Sequence, residues 1–155
     1  MPSQLQRELK QTRPFKSLQE EAHLSIQRTA ALLEHAFEGA LKPHRITGTQ
    51  YNVLRILRGA EPDGLCRNEV AERLVRQVPD VTRLLDRLEE AKLIVRERAG
   101  KDRRYVVTRI TRPGLQLLDE IQQRIDETHQ SQLGHLGEAQ LRRLISLLAS
   151  VRQRE

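Results

Sequence analysis

The chain has 155 residues, with 27 Lys or Arg against 21 Asp or Glu, a formal net charge of +6; that length fits one domain able to bury its own core. The basic balance attracts polyanions such as nucleic acid or an anionic membrane, while no apolar run reaches the roughly 18 residues of a membrane span. One cysteine excludes an intrachain disulfide, and 3% aromatic content with no Trp argues against a stacking platform for single strands, leaving duplex as the better polyanion.

Residues 1–16, "MPSQLQRELKQTRPFK", are polar, carry Pro2 and Pro14, and lack the apolar region of a secretory signal. A mobile basic arm is expected there, ahead of a single domain over 17–155; the lone cysteine fits a reducing cytoplasm. Apolar or small residues then recur at helical spacing (Leu18, Ala22, Ile26, Thr29, Ala30, Leu33, Phe37, Ala40, Leu41) until Pro43 ends the helix. Thr47 and Gln50 form a capping-box pattern ahead of Val53, Leu54, Ile56 and Leu57, so a second helix runs to about Arg58. "GAEPDG" (59–64) is a turn cluster.

A short helix follows around Asn68–Val75, with Val70, Ala71 and Leu74 inward. Another runs from about Pro79, suited to a first turn, to Ala91. Val81, Leu84, Leu85 and Leu88 form its buried stripe, while Asp80, Thr82, Arg83, Asp86, Arg87 and Glu90 face away. Alternation from Ile94 to Ile110 predicts a hairpin with the tip Gly100-Lys101-Asp102-Arg103-Arg104. Thr111 caps a long helix with Pro113 in its first turn and Leu115, Leu118, Ile121, Ile125 and His129 along one side. Gly134 and Gly137 break the pattern before a last helix carrying Leu141, Leu144, Ile145, Leu148 and Val151.

A short helix, a tight turn and a helix with basic residues on its outer face describe a helix-turn-helix, whose second helix enters the major groove N-terminus first. Thr82 and Arg83 occupy that first exposed turn, Asp80 is placed to accept from a cytosine amine, and Arg87 is better placed for a phosphate. An ordinary solvated helix face has the same composition, and the hairpin tips the balance. Arg98, Lys101, Arg103 and Arg104 put positive charge where two strands turn, which suits the negative potential of a narrow minor groove. Asp102 is expected to brace the Arg104 guanidinium by a charge-assisted hydrogen bond; the alternative is a surface ion pair worth under ~1 kcal/mol.

"PDVTRLLDRLEEAKLIVRERAGKDRRYVVTRITRPG" (79–114) resembles the recognition helix and wing of the MarR (multiple antibiotic resistance regulator) family. The resemblance is carried by Leu93-Ile94-Val95-Arg96, by Asp102-Arg103-Arg104 and by Ile110-Thr111-Arg112-Pro113-Gly114; "ITGTQYNVLRIL" (46–57) and "LRRLISLLASV" extend it over about residues 18 to 152. It implies an α+β, mostly α fold: a winged helix-turn-helix over about 47–111 with flanking dimerisation helices over about 17–42 and 112–153. It also implies a homodimer that represses transcription at a palindromic operator and is released by a small aromatic or anionic effector, bound between the dimerisation helices and the winged domain. The apolar stripes of the long helices from Leu115 and Leu141, more than one small winged domain could cover, agree with a homodimer. Two positions depart from the family pattern. Lys92 stands where Gly is common, at a cost of ~1 kcal/mol for a left-handed cap, and Cys66 stands where a Thr or Ser commonly caps the short helix.

The five histidines (His23, His35, His44, His129, His135) contain no i,i+4 pair, and one Cys makes no Cys/His set, so no metal or other cofactor is expected. No catalytic arrangement stands out, so the chain does not read as an enzyme. Effector candidates are His35, His44, Arg45 and Tyr51, on the first two helices. Two rival readings stay open: a winged-helix module that grips a protein, and a redox-sensing regulator acting through Cys66, which sits beside Arg67 near a helix start.

Overall fold

The computed structural model describes residues 1–102 and 104–153. Its elements follow the expected order: α1 (Gln4–Glu8), α2 (Leu18–Leu41), a 3-10 turn (Lys42–His44), α3 (Gly48–Gly59), α4 (Arg67–Arg73), α5 (Val81–Glu90), β1 (Ile94–Arg98), β2 (Val106–Ile110), α6 (Arg112–Leu133) and α7 (Glu138–Arg152). This is a winged helix-turn-helix, α3 to β2, carried between long helices.

Local chemistry places the boundaries. Thr47 Oγ1 accepts the Gln50 N–H at 3.2 Å while Gln50 Oε1 accepts the Thr47 N–H at 2.9 Å, the reciprocal box that starts α3. Ser17 caps α2 by accepting the Glu20 N–H at 3.1 Å, while the Glu20 carboxylate accepts the Lys16 N–H at 2.6 Å. The stretch 1–16, expected as a mobile arm, contains a helical turn instead. Ser3 and Gln6 cap each other there, and Leu5 is buried. A Ser-x-x-Gln box at a polar N-terminus had the same meaning as the one at Thr47.

The start of α5 differs from expectation by one cap. Asp80 Oδ1 accepts the Arg83 N–H at 2.9 Å, which makes Asp80 the N-cap and leaves Pro79 outside the helix. At the other end, Lys92 adopts φ +61°. The Leu93 N–H then reaches Leu88 O (3.0 Å) and the Lys92 N–H reaches Glu89 O (2.9 Å), the paired bonds of a Schellman stop. The left-handed cap inferred for this non-glycine position is present.

β1 and β2 pair antiparallel, from Ile94 opposite Ile110 to Arg98 opposite Val106, and Leu65 adds one bridge to Thr108. One core joins the winged unit to the long helices: Leu54 and Leu57 of α3, Leu85 and Leu88 of α5, and Leu118, Ile121 and Ile125 of α6 are all 1% exposed or less. In α2, by contrast, only Ala40 and Leu41 are buried, and α7 has no buried residue. Leu18 is 82% exposed and Ile145 63%. Much of both stripes finds no cover within the single chain, whereas the α6 stripe, expected to need a partner, is covered at Leu118, Ile121 and Ile125 because α2 and α3 pack on it. No helix among the described residues is long and apolar enough to cross a membrane.

The entry to α6 requires a glycine for a steric reason. The Thr111 hydroxyl donates to Lys92 O at 2.7 Å and accepts the Gly114 N–H at 3.3 Å, drawing the first turn of α6 onto the end of α5. A Cβ at Gly114 would collide with Leu93 O and the Ile110 side chain. Gly114→Ala is expected to destabilise the fold by about 1–3 kcal/mol, as overpacking does. A urea midpoint equal to that of the parent would contradict this packing.

Candidate nucleic-acid interface

α5 buries Leu85 and Leu88 and leaves Thr82, Arg83 and Arg87 exposed, as the stripe spacing predicts. Asp80, expected to read a cytosine amine, spends one carboxylate oxygen on the Arg83 N–H. Its structural role as a cap accounts for its place at the helix start. The Thr82 hydroxyl is also engaged, accepting from Arg67 Nη1 at 3.1 Å. In the sequence Arg67 stands out only as the neighbour of Cys66. It follows the N-cap Cys66, and only the packing of α4 against α5 brings its guanidinium to the reading helix.

The hairpin turns at Gly100 (φ +77°), with Lys101, Asp102 and Arg104 exposed at its tip and Arg98 exposed at the end of β1. Arg103 lies outside the described residues. Asp102 does not brace the Arg104 guanidinium: its Oδ1 accepts the backbone N–H of Arg104 at 2.9 Å, and its carbonyl accepts the Tyr105 N–H at 3.1 Å. A carboxylate at this spacing forms an Asx turn, in which the backbone N–H two residues on takes its oxygen. Asp102 shapes the tip; the Arg104 side chain lines a cleft of about 520 Å³ between the wing and α4, together with Arg67, Asn68, Tyr105 and Cys66.

The half-buried Cys66 is the N-cap of α4, and Glu69 Oε2 accepts its backbone N–H at 2.8 Å. That bond, above all, holds the Glu69 carboxyl below its ordinary range. The cap position is that of the family hydroxyl which Cys66 replaces, and the side chain faces the basic cleft.

The wing is tied to α5 by Arg96, which in the sequence stands out only as the end of the Leu93-Ile94-Val95-Arg96 junction. From β1, Arg96 Nη2 donates to Asp86 Oδ1 at 2.6 Å and to Glu89 Oε1 at 3.0 Å, and its backbone N–H donates to Glu89 Oε2 at 2.8 Å. The Arg96 side chain is only 22% exposed. The hydrogen bond from Arg96 depresses the Glu89 carboxyl and raises Arg96 in turn. Asp86, expected to face away with the other polar residues of α5, faces the strand that follows. Arg109 of β2 completes the frame, donating to Glu97 at 3.0 Å and to Pro62 O at 3.1 Å.

A second concavity, about 480 Å³, lies between α2, α3, α6 and the turn after α4. Of the four effector candidates only Tyr51 lines it. Ala30, Leu33, Glu34, Phe37 and Glu38 form the α2 wall at helical spacing, a stripe that His35 falls outside. His44 ends the 3-10 turn and Arg45, at φ +57°, caps it; neither lines the cavity. His129 of α6 lines it instead, stacked on Phe37 at 5.9 Å and 11°. Among the described residues, no group of three His, Cys, Asp or Glu is placed to hold a metal.

An exposed basic helix beside a charged hairpin, on a helix-turn-helix frame, defines a winged-helix nucleic-acid-binding class. Residues 45–104 match the sequence profile of the MarR family. The HTH-type transcriptional regulator FarR of Neisseria gonorrhoeae is 32% identical over 126 residues, covering 81% of this chain and 84% of its own. A MarR transcription factor from Planctomyces limnophilus superposes with a TM-score of 0.68 at 37% identity, over 87% of this chain and 98% of that one. The transcriptional repressor CouR, bound to a 23-mer DNA duplex, does so with a TM-score of 0.74 at 27% identity, over 83% and 90%. This chain belongs to the MarR family of transcriptional regulators.

Arg96→Met is expected to cost about 1 kcal/mol, since the ion pairs are partly exposed and two carboxylates lose their common partner. The depressed Glu89 pKa gives this a pH signature. A carboxyl held below its ordinary 4.5 contributes stability that is complete above that value and is lost as pH falls through the lowered folded value. Chemical denaturation of the parent should therefore lose stability below about pH 4.5, and Arg96→Met should lose less. Identical pH profiles would show that the joint is not energetically coupled.

Proposed function

We propose that this chain is a repressor that holds a palindromic duplex operator as a homodimer and leaves it when a small aromatic compound enters the cavity beside α2. The observation that carries the reading is the joined pair of α5 and wing, with Arg83 on one and Arg104 on the other. Arg83 and Thr82 stand on the first exposed turn of α5 and address base edges; Arg87 is set for a phosphate. The wing, with Arg98, Lys101 and Arg104, addresses an adjacent minor groove, where width rather than a unique donor pattern is read. Arg103 belongs to the same proposal by its place in the tip sequence. The exposed apolar faces of α2 and α7 support a two-fold dimer, which sets two such reading heads on one duplex face. CouR, a repressor captured on DNA, supports repression as the outcome. The protein-gripping alternative is weakened by a wing tip of charge where apolar anchors would be expected.

Titration of a genomic operator and a scrambled duplex at several salt concentrations tests this. Arg83→Ala should cost ~1–3 kcal/mol on the operator and relax preference at one position of each half-site. Arg104→Ala should weaken both duplexes more evenly. The log–log salt slope should be roughly −5 to −7, from three or four phosphates per subunit. Half-sites should be centred ~10 base pairs apart. No binding to any duplex at low salt would overturn the proposal, and a folded monomer at micromolar concentration would overturn its two-fold part.

A further inference from the structure

The cavity beside α2 has a charge pattern that selects among effectors. Leu33, Phe37, Tyr51, Val75 and Leu133 give it apolar walls, with Phe37 and Tyr51 edge-on at 5.4 Å and 71°. Its neutral polar groups are already used in part: Asn52 Oδ1 accepts the Val75 N–H at 2.9 Å, and Gln132 Nε2 donates to Leu33 O at 2.9 Å. The charged lining is Glu34 and Glu38 against Arg76, with the His129 imidazole on the far wall. Arg76 is committed, its Nη2 lying 2.7 Å from Glu34 Oε2. Glu38 gives one oxygen to the Gly48 N–H at 2.7 Å and keeps the other.

We infer that the effector is a lipophilic aromatic cation, whose charge takes Glu34 from Arg76. This rests on the effector reading above and deepens it. An entering anion has one arginine in the lining to turn to, and winning Arg76 would leave it beside the released Glu34 and beside Glu38. A cation meets the opposite situation. It gains Glu34, the second oxygen of Glu38 and an aromatic wall at Phe37, one side of which His129 already covers, where a ring face attracts positive charge, while Arg76, its side chain already 66% exposed, returns to water. Exchange is easy because an exposed ion pair is weak.

The exchange reaches the DNA-binding surface by a short path. Arg76 belongs to the turn between α4 and α5, so its bond to Glu34 ties the dimerisation helix α2 to the segment that aims α5. A cation on Glu34 removes that tie and pushes against Val75 in the same turn. Ligand and duplex then oppose each other through one element, and the opposition is reciprocal.

Tetraphenylphosphonium and tetraphenylborate, alike in shape and opposite in charge, are the probes. Calorimetry at about pH 8, above the ordinary imidazole range, measures binding, and anisotropy of a labelled operator measures release. The phosphonium should bind and release the duplex, with the borate about ten-fold weaker or worse, the effect of a single reversed charge contact. Glu34→Gln should weaken the phosphonium roughly five-fold. Arg76→Met removes the competitor: it should tighten the phosphonium and, with no ligand present, weaken the duplex. That variant keeps the test decisive if Glu34→Gln fails to fold. Equal or tighter binding of the borate, with release of DNA, would overturn the charge assignment and leave the effector reading standing. Phosphonium binding insensitive to both substitutions would also overturn it. No binding of either ion would bring down both.

Discussion

Arg96 reaches from the first strand of the wing to two carboxylates on the recognition helix, and the relative placement of helix and wing follows from that joint. Ile94, two residues before it, is buried in the same core as Leu85 and Leu88 of α5, so an apolar base lies under the polar clamp. The Schellman stop at Lys92 leaves only the short segment from Ala91 to Leu93 between the two elements. Thr111 fastens the other end of the hairpin to that stop by donating to Lys92 O. A short connection, a buried base and a shared guanidinium together make helix and hairpin move as one body. For reading two grooves at once this rigidity matters more than any single exposed arginine, because contacts held in one geometry need not be ordered again on binding.

Arg96 also shows how charge is divided on this surface. Its guanidinium is consumed internally by Asp86 and Glu89, while Arg83, Arg87, Lys101 and Arg104 stand exposed with no carboxylate bonded to their side chains among the described residues. On the opposite side of α4 the pattern is reversed. The bond between Glu34 and Arg76 is exposed and weak, and it joins the part of the chain suited to dimerisation to the turn before α5. A half-buried joint with two carboxylates holds helix and wing together, while a single exposed pair joins α2 to the turn before α5. Under the proposed release by a ligand, the exposed pair is the tie that is more easily exchanged.

Much of the fold was legible because its signals are local. The Thr47 and Gln50 box, the Leu84-Leu85-Leu88 stripe, the alternation into Ile110 and the breaks at Gly134 and Gly137 each depend on residues within a turn or two of one another. The same locality explains the errors. Pro79 was given the helix start that Asp80 takes by capping, and the Ser3 and Gln6 box was overlooked inside a polar stretch. Asp102 and Arg104 were paired through side chains, although at two residues' separation the carboxylate meets the backbone N–H first.

The site was less legible where it depends on contacts distant in the chain. Arg67 meets Thr82 across 15 residues, and Arg76 meets Glu34 across 42. Neither spacing has a pattern that a single sequence reveals. The α2 wall of the cavity did have one: Ala30, Leu33, Glu34, Phe37 and Glu38 recur on one face, and reading that stripe would have replaced His35 with Glu34. His129 was seen, but as a core position.

The central claim is that helix and wing act on the duplex as one rigid unit. Hydroxyl-radical footprinting of the parent and of Arg96→Met on the same operator tests it most directly. The account predicts that the parent protects each half-site and its flanking minor groove together, over one range of protein concentration. Arg96→Met should retain half-site protection while flank protection appears only at higher concentration. Flank and half-site protected together in the variant as in the parent, at unchanged concentration, would contradict the account.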